Sequence, residues 1–146
     1  MKRVAIFAHY DTDQVIDDYV IIYLKKLKEC VNNIIFISDC KIPDTEQQKI
    51  DDLVLFKYCE KVNFSKDFGS YKKGFQILLN NYTEIFSQCD EVIFVNDSCY
   101  CIGKFNEIFL KMESVECDAW GLTDDFSNAD LEYKRGIVDG RADDIV

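Results

Sequence analysis

The sequence predicts an α/β domain built on a mainly parallel sheet with helices on both faces. Two observations carry this. Short apolar runs rich in β-branched and aromatic residues recur along the chain, and the stretches between them place apolar residues at helical spacing. Strands that alternate with helices imply right-handed crossovers and a sheet buried on both sides. The 146 residues, 48% hydrophobic and 14% aromatic, are enough for one well-packed core, so a single domain over 1–146 is expected.

Val4 to Ala8 reads as a first buried strand, because its apolar run stops at His9 and Asp11, too soon for a signal peptide. Ile16, Val20, Tyr23, Leu24, Leu27 and Val31 then recur on one helical face. A helix from about Gln14 to Cys30 follows, with Asp13 as N-cap and Asp17 and Asp18 favouring the positive end of its dipole. Ile34 to Ser38 is the second strand, Asp44 to Phe56 a short and less regular helix, and Val62 to Phe64 the third strand. Tyr71, Phe75, Leu78, Leu79 and Tyr82 mark the next helix. Val92 to Val95 is the fourth strand, Phe105, Ile108, Phe109 and Met112 a further helix, and Ala119 to Leu122 a fifth strand. Beyond Thr123 apolar periodicity is lost, and 124–146 is expected to be an irregular tail.

Charge and cysteine usage narrow the function. With 27 acidic and 17 basic residues the formal net charge is −10, which repels a phosphate backbone, so nucleic acid is excluded as a partner. No run approaches the ~20 apolar residues that a bilayer crossing needs. The seven cysteines form no CxxC pair, and Cys30, Cys59 and Cys89 sit among apolar neighbours, where a reduced thiol acts as a small hydrophobe. A reducing cytoplasm is the simplest setting.

Ligands of an open parallel sheet bind outside the carboxyl ends of its strands. The residues expected there are His9, Tyr10 and Asp11; Asp39; Lys66, Asp67, Phe68, Gly69 and Ser70; Asn96, Asp97 and Ser98; and Thr123, Asp124 and Asp125. Every loop on that edge carries a carboxylate. Asp, Asn and Ser also cap helices and close turns, so one such loop says little, but five at one edge point to a ligand. Carboxylates and amides suit the hydroxyls and imides of a sugar nucleotide, whereas bare phosphate needs a cation between. Gly69 would let the backbone approach a ligand, and Ser70 would open a helix whose amides attract negative charge. Asp67 could accept a hydrogen bond from a pyrimidine ring N–H or cap its own helix. Asp97, held at the tip of a buried strand, suits metal contact: Mg2+ or Mn2+ can rest on one carboxylate when diphosphate oxygens and waters complete the shell.

Val4 to Asp11, Asp67 to Gly74, Asn96-Asp97-Ser98 and Trp120-Gly121-Leu122-Thr123 resemble, in order, the successive motifs of the rhamnan synthesis protein F family. The resemblance implies a GT-A-type glycosyltransferase fold, a nucleotide-sugar donor such as dTDP-rhamnose, and a polysaccharide or lipid-linked glycan acceptor at the inner face of the membrane. It also implies that Asp67 faces the base, that His9 to Asp11 face the nucleotide, and that Asn96-Asp97-Ser98 stands in degenerate form where many GT-A enzymes carry a DxD metal motif. Members of the family continue well past the Trp-Gly-Leu-Thr motif, so the chain is expected to be a truncated, donor-binding part with no assignable catalytic base. An apolar surface near the last strand would then lie open or be covered by a second copy in a homo-oligomer. The competing expectation is a catalytically inactive nucleotide-binding or assembly module that lacks an acceptor site. A phosphotransfer receiver domain is disfavoured, because His9-Tyr10 and Thr123-Asp124 supply neither its paired acids nor its lysine.

Overall fold

The computed structural model describes residues 1–62 and 66–122. Its order is β1 (Arg3–His9), α1 (Asp18–Lys28), β2 (Asn33–Ser38), α2 (Asp44–Gln47) running into a 3-10 turn (Gln48–Ile50), β3 (Phe56–Cys59), α3 (Lys66–Asn81), α4 (Thr83–Ser87), β4 (Glu91–Asn96) and α5 (Asn106–Met112). The α/β class is as expected. Among the described residues the sheet has four strands in the order β3-β2-β1-β4, and all pairings are parallel.

Alternation along β1 and β2 sorts the core into two layers. Ala5, Phe7, Ile34 and Phe36 pack with Val20, Tyr23, Leu24 and Leu27 of α1 on one face, while Val4, Ile6, Ile35 and Ile37 pack with Ile77 and Leu78 of α3 on the other. All seven residues of β1 are buried, as a strand paired on both sides and covered on both faces requires. At its amino end Arg3 meets Glu91 of β4 at 2.6 Å, so even this buried guanidinium is paired. α3 approaches the sheet at Gly74, where a Cβ would stand 2.4 Å from Ile6 Cγ2 and 3.2 Å from Ile37 Cγ1. The glycine is there because nothing larger fits between helix and strand.

Several boundaries differ from the sequence reading. The third strand is Phe56–Cys59, not Val62 to Phe64. The short helix ends early enough for Phe56 to enter the sheet beside Ile35. Val62 is outside any strand, and Asn63, Phe64 and Ser65 lie outside the described residues. α1 starts at Asp18 with Asp17 as its N-cap, not near Asp13, because Gln14 takes a left-handed φ of 61° that interrupts the helical path. Of the expected fifth strand, Ala119 to Leu122, only Leu122 takes part in a β-bridge among the described residues.

The chain divides into two compact units, Met1–Asn106, which holds the sheet, and Glu107–Val146. In the second, Phe109 and Met112 are buried and Phe109 meets the Trp120 ring edge-on at 5.4 Å. The tail at 124–146 lies outside the described residues.

Candidate functional site

The carboxyl ends of β1 and β4 bring the expected residues together from both faces of the sheet. On the α1 face, the alternation that buries Ala5 and Phe7 also buries His9, whose ring lies 5.2 Å from that of Phe36. Its Nδ1 is 2.8 Å from Ser38 Oγ on the neighbouring strand, and Ser38 Oγ is 3.1 Å from Cys40 Sγ. Its Nε2 faces Asp97 Oδ2 at 3.9 Å, and the same carboxylate oxygen accepts the Tyr10 backbone N–H at 3.0 Å. Burial lowers the pKa of His9 and outweighs the attraction of Asp97, Asp11 and Asp17. Burial likewise raises the pKa of Asp97, against the stabilising pull of the Tyr10 amide and of His9. A neutral imidazole thus stands beside a carboxylate that is ready to gain a cationic or hydrogen-bonding partner.

On the α3 face, Asn96 at the end of β4 donates from Nδ2 to Asp67 Oδ2 at 2.7 Å. This bond joins the last residue of β4 to the first turn of α3. Tyr71, one turn further along α3, packs against Phe94 at 5.3 Å, and its hydroxyl is pushed up to about 12, first by burial and then by Asp67 and Asp97.

The other expected residues are engaged locally. Asp11 accepts the backbone N–H groups of Asp13 and Val15, holding the loop between β1 and α1. Asp39 accepts the Val62 N–H and so ties the end of β2 to the segment after β3. The Tyr10 side chain is 57% exposed. Gly69 and Ser70 do not form a loop ahead of a helix: α3 begins at Lys66, and both are buried inside its first turns. Lys66 takes a φ of 49°, left-handed like Gln14. Each such non-glycine residue costs about 1 kcal/mol; Gln14 lies on the connection that leaves β1, and Lys66 opens α3. Thr123, Asp124 and Asp125 lie outside the described residues.

Three features escaped the sequence reading. Ser38 was legible only through register, since it pairs directly with His9. A cleft of about 250 Å3 beside α3 is lined by Lys61, Lys72 and Lys73, with Tyr58 beneath the Lys73 ammonium at 4.7 Å. It concentrates positive charge beyond the carboxyl end of β3, in a chain that is acidic as a whole. A larger cleft lies at the amino end of α1.

Asp97 is the residue expected to hold a divalent cation. Among the described residues no three His, Cys, Asp or Glu side chains are grouped to hold one. The donor set therefore fits Mg2+ or Mn2+ only as a single carboxylate whose remaining ligands come from diphosphate and water.

Fold and site together define an α/β domain with an open parallel sheet and a carboxylate-, amide- and imidazole-lined site at the carboxyl ends of its central strands. The rhamnan synthesis protein F family model matches residues 34–137, well over half of the chain, which therefore belongs to that family. Membership gives it a role in rhamnan synthesis, a form of polysaccharide biosynthesis. No curated protein and no solved structure matches. Among the described residues no helix is long and apolar enough to cross a membrane.

Proposed function

We propose that this chain is the nucleotide-sugar-binding domain of a GT-A-type glycosyltransferase that supplies a sugar, from dTDP-rhamnose or a close relative, to a growing cell-surface polysaccharide. The observation that carries this reading is the convergence of Asp97 with His9 and Tyr10 on one side of β4 and of Asp67 with Asn96 on the other, at the edge where parallel sheets bind ligands. Family membership agrees with it.

In this reading Asp67 accepts a hydrogen bond from the base imide, with Asn96 holding its carboxylate in place. Asp97 is presented toward the ligand by the Tyr10 amide and by the neutral His9 ring. Lys61, Lys72 and Lys73 supply counter-charge to phosphate at the same sheet edge. A bound Mg2+ or Mn2+ would add Lewis-acid stabilisation of the diphosphate leaving group. The acceptor is a polysaccharide or lipid-linked glycan.

Calorimetric titration of a panel of dTDP-, UDP- and GDP-sugars, with and without Mn2+, tests the reading. Binding of at least one member is expected, weakened by about 1–3 kcal/mol in Asp67→Asn, which keeps the shape but loses the charged acceptor. A panel without a binder would refute it.

A further inference from the structure

We propose that the cleft at the amino end of α1 binds a neutral saccharide, as the subsite for the acceptor glycan; this rests on the glycosyltransferase reading and deepens it. The cleft measures about 600 Å3 and is lined by Ile16, Asp17, Asp18, Tyr19, Lys49 and Tyr100. Its walls come from the connection that leaves β1 and from the loop that follows β4. The central strands thus lead to it on the same edge as His9 and Asp97.

Three properties select the ligand. The rings of Tyr19 and Tyr100 meet at 4.8 Å with a 59° tilt, forming an angled aromatic wall. Tyr100 is 72% exposed, so a large ring stands in water at the mouth of the cleft. Pyranose rings bury their C–H faces on such surfaces while their hydroxyls stay at the rim. At that rim Asp17 and Asp18 are exposed acceptors suited to vicinal hydroxyls.

Charge then excludes the donor. The Lys49 ammonium is 2.6 Å from Glu46 and 3.3 Å from the Ile16 carbonyl, and among the described residues neither Asp17 nor Asp18 forms an ion pair. An anionic diphosphate is repelled from such a lining, and an uncharged glycan is not. The lysine-lined cleft beside α3 has the opposite character. The Tyr19 hydroxyl is a donor at neutral pH, and burial, with Asp97 and Asp17, raises its pKa further.

The test titrates the whole chain with a linear rhamnose trisaccharide and separately with dTDP, reading saturation-transfer NMR and calorimetry for wild type and Tyr100→Ala. The wild type should bind both. Tyr100→Ala should weaken the trisaccharide on the order of tenfold and leave dTDP unchanged, the partner ring at Tyr19 being retained. Unchanged trisaccharide affinity in Tyr100→Ala, absence of trisaccharide binding by the wild type, or a loss confined to dTDP would each overturn the proposal. The last would make the cleft a base-stacking site. Trisaccharide binding without dTDP binding would support the subsite while defeating the donor reading, so the two fail separately. Asp17→Asn, which removes one rim charge at an exposed position, should reduce trisaccharide binding in the same direction.

Discussion

At the carboxyl ends of β1 and β4 burial disfavours charge on both partners, lowering the pKa of His9 and raising that of Asp97. Asp97 is the residue through which an ion would act. Asp97→Ala should weaken a nucleoside diphosphate more with Mn2+ present than without it. Equal losses in a paired calorimetric titration would remove the ion from the account. His9 gives a different signature. Its folded-state pKa lies below the ordinary 6.5, so its contribution to stability is full above that value and is lost as pH falls through the lowered one. The urea midpoint of the wild type should drop between about pH 7.5 and about pH 5.5, and that of His9→Gln should drop less over the same interval. Parallel slopes would show that His9 is not the group responsible. Much of this site was legible in the sequence, because His9, Asn96 and Asp97 directly follow apolar runs that could only be buried strands. What the sequence hid was pairing: nothing local in Asp67 says that its partner is Asn96.

At the scale of elements, α3 decides how close the two halves of the site can come. Its contact with β1 and β2 passes through Gly74, where an added methyl would meet Ile6 and Ile37. Gly74→Ala gains about 1 kcal/mol of helix propensity but overpacks the core at a cost of about 1–3 kcal/mol. The expected result is net destabilisation in urea unfolding, with loss of nucleotide affinity as α3 shifts Asp67 away from Asn96. A more stable variant would show that the helix can move outward freely. Elements with strong periodicity, α1 and α3, were readable from their apolar faces. The third strand was not, because Phe56–Cys59 has only partly buried residues up to Cys59 and alternates with Lys57, while Val62 nearby looks equally strand-like. Helix starts were misplaced for a related reason: Gln14 and Lys66 adopt left-handed backbone that their residue types do not advertise.

Across the whole molecule, stability is concentrated in the centre of the sheet. β1 is paired on both sides and buried throughout, whereas among the described residues β4 pairs with β1 alone and its Phe94 is 48% exposed. Amides of β1 should therefore exchange with deuterium only through global unfolding, and those of β3 and β4 through smaller, local openings, as hydrogen-exchange mass spectrometry would report. Equal protection in all four strands would contradict this gradient. The acidic composition acts at the same scale: it bears on what the surface repels and leaves the fold to the apolar pattern.

The pairing of β1 with β4 joins Arg3 to Glu91 across 88 positions of sequence. A chain made from its amino end therefore exposes β1, the strand that ends up buried along its whole length, long before the second neighbour of that strand exists. β2 can dock early, through a connection of ordinary length, but β1 keeps one unpaired edge until the ribosome has delivered residues 91–96. Closing so long a loop is slow, and the waiting edge is a template for wrong partners. Because Asp97 directly follows that same strand, the site cannot assemble before β4 has docked on β1. A ligand held at Asp97 would therefore favour molecules in which β4 has already covered the open edge of β1.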